Sequence, residues 1–205
     1  MINPFGFATS TEILFGRGMS ELAPRRIAGF GKDALVVLGK SSQRAQWLID
    51  GLKELGCSVR TVSIPAEPSI DMIEAGRQLG QGCDVVVAIG GGAAIDAGKA
   101  IAALIPSPHE IMYHLEVVGE GKPLDTAPLP FVAIPTTAGT GAEVTKNAVI
   151  SVPDHKRKVS MRDLAMLPKL AIIDPALTDN SPRSVTLSSG LDAITQVIEP
   201  YVCTK

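Results

Sequence analysis

The chain has 205 residues, of which 45% are hydrophobic and 20% charged, with a formal net charge of −2. That is enough apolar material for a full core in one domain or slightly more, and the lack of a basic field argues against nucleic acid or an anionic membrane as a partner. No apolar run approaches the roughly 20 residues that a membrane span needs, and the N-terminus lacks the basic start and apolar stretch of a secretion signal.

Elements alternate along the chain. The apolar run 34–38 reads as a strand. Residues 43–55 read as a helix with Trp47, Leu48, Leu52 and Leu55 on one face, closed by Gly56. A short strand follows over 59–64, and Ser69 is placed to cap a helix running to Gly80. The β-branched run 85–89 is the next strand; it stops at Gly90-Gly91-Gly92, and an alanine-rich helix runs from there to about Leu104, where Pro106-Ser107-Pro108 ends it. Another apolar strand starts at Phe131. Over 148–160 the pattern changes to that of a hairpin, with Val149-Ile150-Ser151-Val152 on one side of Pro153-Asp154-His155 and Val159 on the other. Ala171-Ile172-Ile173 is a last strand, and Ser181-Pro182 reads as a helix cap followed by proline at the first helical position. This alternation predicts an α/β fold: a Rossmann-like parallel sheet with helices on both faces, plus a β-hairpin. Cys57, Cys83 and Cys203 are odd in number and widely spaced. They give no disulfide framework or structural zinc site and fit a reducing, cytoplasmic setting.

The strand–glycine–helix segment from Val85 to Lys99 carries the strongest chemical signal. Glycine turns the chain sharply and leaves no side chain between main-chain amides and a ligand. The first amides of the following helix lack internal partners and carry partial positive charge, so they hold anions. The segment therefore reads as a phosphate or pyrophosphate cradle, the alternative being a plain surface turn. It is not the G-x-G-x-x-G fingerprint, since Ile95 stands at the last glycine, and it lacks the G-K-[ST] ending of a P-loop. A second apolar strand ends in Pro135-Thr136-Thr137-Ala138-Gly139-Thr140-Gly141. Small hydroxyl residues supply donors without bulk, suited to phosphate, ribose or a carboxamide. In open α/β sheets, ligands bind at the carboxyl ends of the strands, which is where both loops fall.

With both segments in view, the chain resembles the iron-containing (group III, metal-dependent) alcohol dehydrogenase family. Gly90-Gly91-Gly92 followed by Asp96 and Lys99 is similar to its G-G-G-x-x-x-D-x-x-K motif, a version of which glycerol dehydrogenases and dehydroquinate synthases share. Ile134 to Thr145 is similar to the alcohol dehydrogenase branch in particular. Ile173-Asp174-Pro175-Ala176-Leu177-Thr178 and Gly190-Leu191-Asp192-Ala193-Ile194-Thr195 also follow the family pattern. The resemblance runs from about Phe7 to the end and implies a dehydroquinate synthase-like N-terminal domain. The implied activity is hydride transfer between a small alcohol or aldehyde and a nicotinamide dinucleotide. Gly90, Gly91 and Gly92 would hold its pyrophosphate, and Thr136, Thr137 and Thr140 its phosphate–nicotinamide half. Asp96 is expected as a cap in the first helical turn. By resemblance Glu67 contacts ribose, Lys158 closes over the nucleotide and Leu177 packs on the adenine or ribose. A surface glutamate, an exposed basic run and an ordinary core leucine are the alternatives.

Dinucleotide folds often place a carboxylate after the first strand for the ribose 2′-hydroxyl. Here that strand ends in Gly39-Lys40-Ser41-Ser42, with Arg44 close behind. A set without carboxylate but with two cations and two hydroxyls favours a 2′-phosphate, hence NADP over NAD; a solvated loop indifferent to either is the alternative. The family holds iron or zinc between an aspartate, a histidine four residues later and two histidines from a downstream helical domain. Asp192 matches the first, but Gln196 stands where the histidine is expected, and an amide oxygen is a far weaker ligand. His109, His114 and His155 match none of the ligands. The expected organisation is a dinucleotide-binding domain over 1–180 and the start of a helical metal-binding domain over 181–205, as either a shortened or a natural short form. The apolar face of Leu191, Ile194, Val197 and Ile198 needs a partner, such as another copy in a homo-oligomer. Two rival readings are a non-catalytic nucleotide-binding module, favoured by Gln196, and a glycerol dehydrogenase-like relative, disfavoured by the T-T-A-G-T-G loop.

Overall fold

Continuous apolar runs build strands covered on both faces, and such runs make up most of β2 (Asp33–Leu38), β4 (Val85–Gly90) and β5 (Phe131–Pro135). In the computed structural model, which describes residues 6–203, they form the centre of a six-stranded parallel sheet. With β1 (Ile13–Phe15), β3 (Ser58–Ser63) and β8 (Leu170–Ile173) the order is β1-β8-β5-β4-β2-β3. Alternate residues serve two cores, as the two-residue period of a strand requires. Leu35, Val37, Val86, Ala88, Phe131 and Ala133 face one side, and Val36, Leu38, Val87, Ile89, Val132 and Ile134 the other.

The second of these cores is closed by α1 (Ala23–Ala28) and α2 (Gln46–Glu54), the first by α3 (Ile70–Leu79) and α4 (Gly92–Leu104). The expected cap on α3 is present: the Ser69 hydroxyl accepts from the Met72 amide. A turn of helix, α5 (Ile111–His114), packs beside them. The hairpin of β6 (Asn147–Val152) and β7 (Arg157–Arg162) lies over the outer side of α4. That cover, over a helix of mostly alanine and glycine, is why α4 is buried on nearly every side. The last helix is α6 (Arg183–Val202); its Leu191, Ile194, Val197 and Ile198 are all exposed, as expected for an apolar face without a partner. Among the described residues, no helix is long and apolar enough to cross a membrane.

Three local expectations are corrected. The residues before α2 form a 3-10 turn, Ser42–Ala45, so the α-helix starts at Gln46; Ile49 joins Leu48 and Leu52 in the buried face, while Leu55 is exposed beyond the helix end. Ser181 does not cap α6: its hydroxyl is spent on the Thr136 carbonyl, 3.2 Å away, and Pro182 holds the cap position. Asp96 lies in the second turn of α4, too far along to meet the free amides of the first. It accepts from the Val149 amide at 3.0 Å, so it anchors the hairpin instead.

The topology makes one crevice. From β2 the chain moves outward to β3, then returns to place β4 on the opposite side of β2. Connections leaving in opposite directions open a cleft at the carboxyl edge between β2 and β4, the switch point where ligands bind in such sheets. Close helix–sheet contact beneath it depends on Gly98, where a Cβ would stand 2.7 Å from Phe131 Cε2 and 2.8 Å from Ala88 Cβ. Gly98→Val is expected to lower unfolding free energy by about 1–3 kcal/mol through overpacking, measured by urea denaturation; an unchanged midpoint would contradict this packing.

Candidate functional site

Two loops and one helix end meet at the switch point. Gly39 follows β2 and Gly90 ends β4, and the backbones approach closely: a Cβ on Gly90 would lie 3.2 Å from the Gly39 nitrogen and 2.7 Å from Ala94 Cβ. Gly90 is itself buried and paired, its carbonyl accepting from the Thr136 amide at 2.9 Å. Gly91 and Gly92 are the glycines at the open end. Gly91 caps α4, the Ile95 amide closes the first helical bond on its carbonyl, and nothing stands within 4 Å of a Cβ built on Gly92. The amides of the first turn are left without intrahelical partners and carry the positive end of the helix dipole, at a helix end where Gly91, Gly92 and Ala93 line open clefts.

On one side of this helix end lies a cleft of about 670 Å³ lined by Gly39, Lys40, Ser41, Ser42 and Arg44, by Gly90 and Gly91, and by Thr136, Thr137 and Val185. None of its lining residues is a carboxylate. On the other side a smaller cleft of about 240 Å³ is lined by Glu67, Gly92, Ala93, Thr137, Thr140, Glu143 and Asp192. Thr137 forms part of both walls, so the two clefts adjoin at the start of α4. A two-lobed groove whose halves meet at a helix N-terminus suits a molecule with two halves joined by a diphosphate.

Of the residues expected from the sequence, the structure brings Gly39, Lys40, Ser41, Gly90, Gly91, Thr136 and Thr137 to the larger cleft and Glu67, Gly92, Thr137, Thr140 and Asp192 to the smaller. Lys158 lines neither; it pairs with Glu67 at 3.2 Å on an exposed surface beside the smaller one. Leu177 also lines neither and packs half-buried against the sheet core. Arg44 is tethered by donation to the Asn180 carbonyl at 3.2 Å.

Gln196, four residues after Asp192 on α6, donates its amide to the Thr140 carbonyl at 3.4 Å. Asp192 and Gln196 together give one carboxylate and one amide, a poor donor set for iron or zinc. Among the described residues no three His, Cys, Asp or Glu side chains converge to hold an ion. These residues do not fit the metal that the resemblance implies.

The sequence reading missed two buried polar centres. Asp174, 2% exposed, accepts from the Gly18 amide, the Ser20 amide and hydroxyl and the Ala176 amide, at 3.1, 3.0, 2.6 and 2.9 Å. It ties the turn before α1 to the end of β8. Its signal was legible: aspartate followed by proline is the cap-and-first-turn pair of a short helix, here Pro175–Thr178. Lys99, 1% exposed in the middle of α4, is the second; its place three residues after Asp96 in the glycine-rich motif marks it in the sequence but not its burial.

The chain is a Rossmann-like α/β protein with a two-lobed groove at its switch point. The sequence profile of iron-containing alcohol dehydrogenases matches residues 10–175, and the chain belongs to that family. It is 36% identical over 172 residues to 4-hydroxybutyrate dehydrogenase of Cupriavidus necator, covering 83% of this chain and 44% of the relative. It is 31% identical to the NADPH-dependent butanol dehydrogenase of Clostridium saccharobutylicum, covering 97% and 52%. Its structure matches that of sulfoacetaldehyde reductase from Bifidobacterium kashiwanohense in complex with NAD+ with a TM-score of 0.84 and 31% identity, over 96% of this chain and 53% of the other. The chain thus spans about half the length of the relatives it matches.

Burial alone would raise the Asp174 pKa, but the Ser20 hydroxyl and the Ser20, Ala176 and Gly18 amides outweigh it and hold the carboxyl below its ordinary value. A lowered folded value means the stabilisation is complete above the unfolded aspartate pKa of about 3.9 and is lost as pH falls through the lower native value. Asp174→Asn is expected to flatten the acid limb of the stability–pH profile between about pH 5 and pH 2, measured by urea unfolding across that range. An acid limb identical to the wild type would show that Asp174 carries none of it.

Proposed function

We propose that this chain is the coenzyme-binding part of an NAD(P)-dependent alcohol dehydrogenase that moves a hydride between a small alcohol or aldehyde and nicotinamide. The observation that carries the reading is the two-lobed groove with the free amides of α4 at its waist. In it the amides around Gly90, Gly91 and Gly92 hold the pyrophosphate, and Thr136, Thr137 and Thr140 orient the phosphate–nicotinamide half. Glu67 takes a ribose hydroxyl, Lys158 swings over the nucleotide from its ion pair, and Leu177 backs the adenosine end. The bound nicotinamide supplies the hydride acceptor or donor. The protein's part is to fix the ring against the α6 side of the smaller cleft and to keep water from it.

Gly39, Lys40 and Ser41, with Arg44 near them and no carboxylate in the lining, support NADP over NAD. Relatives of both kinds exist: the butanol dehydrogenase is NADPH-dependent by name, and the sulfoacetaldehyde reductase was solved with NAD+. A division into a dinucleotide-binding domain over 1–180 and a helical segment over 181–205 is part of the same reading. So is a homo-oligomer, supported by the exposed apolar face of α6. The unpaired Cys57, Cys83 and Cys203 support a cytoplasmic location.

A second reading, a nucleotide-binding module without turnover, is favoured by one contact: the Gln196 amide engages the Thr140 carbonyl instead of presenting an imidazole beside Asp192. It predicts coenzyme binding without alcohol-dependent NADP+ reduction, and NADPH formation by the wild-type protein would refute it.

Fluorescence titration is expected to show NADPH binding more tightly than NADH. Gly39→Asp, which puts a carboxylate against the 2′-phosphate, is expected to weaken NADPH by about tenfold, roughly 1.4 kcal/mol, and to leave NADH unweakened. Failure of both coenzymes to bind at about millimolar concentration, some 4 kcal/mol, would overturn the proposal.

A further inference from the structure

An ammonium group is expensive to bury, and a methionine would fill the same space without that cost. What Lys99 supplies and an apolar residue does not is three donors. Its Nζ lies 2.8 Å from the Ala142 carbonyl, 2.9 Å from Thr145 Oγ1, 3.3 Å from the Thr145 carbonyl and 3.2 Å from Asp96 Oδ1, and in hydrogen-bond contact with the Asn147 carbonyl. Every partner except Asp96 belongs to residues 142–147, the stem that joins the threonine loop to β6. Asp96, on the same helix, holds the Val149 amide just beyond.

The two ends of the threonine loop are thus pinned differently. Its beginning is tied to β4 by the Thr136 amide on the Gly90 carbonyl. Its end is tied to α4 by Lys99, the helix whose first turn forms the waist of the groove. Lys99 therefore ties the loop that walls the smaller cleft to the anion-binding helix, while the Ser10 hydroxyl, donating to the Glu143 carbonyl at 2.7 Å, holds the same stem from outside α4. Ala142 and Glu143, at the head of the stem, line that smaller cleft, and no partner of Lys99 lines the larger one.

We propose that Lys99 is a positioning residue of the coenzyme site: by holding residues 142–147 against α4 it sets the affinity for the nicotinamide half of a dinucleotide, and not for the adenosine half. This rests on the coenzyme reading above. Lys99 touches no coenzyme atom in this arrangement and acts only through the loop.

The test compares the full chain with Lys99→Met and with Thr145→Val, which removes one hydroxyl acceptor of Lys99 together with that hydroxyl's own bond to the Ala142 carbonyl and leaves the buried ammonium paired. Two probes are titrated: NADPH, which needs both lobes, and adenosine 2′,5′-bisphosphate, which needs only the larger. Amide hydrogen exchange is followed without ligand. NADPH is expected to weaken about tenfold or more in Lys99→Met and less in Thr145→Val, with the bisphosphate unchanged within about twofold. Exchange should quicken across 142–149 and not at the start of α4. Parallel weakening of both probes in a folded variant, or no change in either, overturns the proposal. If Lys99→Met does not fold, Thr145→Val decides on the same criteria. A wild type that binds neither probe refutes the coenzyme reading instead; unaltered exchange over 142–149 in the variants then refutes the tie itself.

Discussion

The first turn of an α-helix has amide protons that nothing inside the helix can accept, and this molecule is organised around where it leaves one such set. The turn is α4's, at the carboxyl edge of the central strand, beside the point where the chain's connections part. Placing it there requires glycine at Gly90, because a Cβ there would press on Ala94 and on the Gly39 backbone, and at Gly98, because the helix presses on Phe131 and Ala88. It also requires a cover on the outer side of α4, which the β6–β7 hairpin supplies. The groove follows from the sheet and the helix together and belongs to neither alone.

Much of this was legible because the signals were local. A β-branched run, three glycines and an alanine-rich stretch name strand, turn and helix without help from the rest of the chain. The Ser69 cap and the hairpin around Pro153 are equally local, since cap and turn chemistry act over three or four residues. What stayed hidden depended on distant partners. Strand β1 is three residues long with its middle one half-buried, and it exists because β8 lies beside it. Asp96 looked like a cap while its partner was unknown; the Val149 amide, 53 residues on, gives it another task. Ser181 likewise looked like a cap until Thr136 was seen to take its hydroxyl.

At the groove, sequence reasoning found the walls and missed what holds them. Seven of the expected residues reach the larger cleft and five the smaller, with Thr137 in both. Leu177 and Lys158 are near but do not line it, because one is drawn into the core and the other to Glu67. Lys99 holds the stem of the threonine loop, and Asp174 ties the turn before α1 to the end of β8; they are buried charges of opposite sign with opposite histories. Hydrogen bonds to Asp174 overcome the burial that would neutralise it. Burial pulls the Lys99 pKa below its ordinary value despite the neighbouring Asp96. Neither is recognisable from residue type, since both are types that normally face water.

The pairing of β1 with β8 has a consequence for how the molecule is made. Ile13 lies opposite Ala171 and Phe15 opposite Ile173, so among the described strands of the sheet the first in chain order waits for the last. Strands β2 to β5 can assemble among themselves in the meantime, each next to a neighbour already synthesised or about to be. During that interval β1 is an orphaned edge, the kind of segment that pairs with the wrong chain. Its brevity, with Phe15 still 72% exposed once paired, keeps that premature template weak until its proper neighbour is translated.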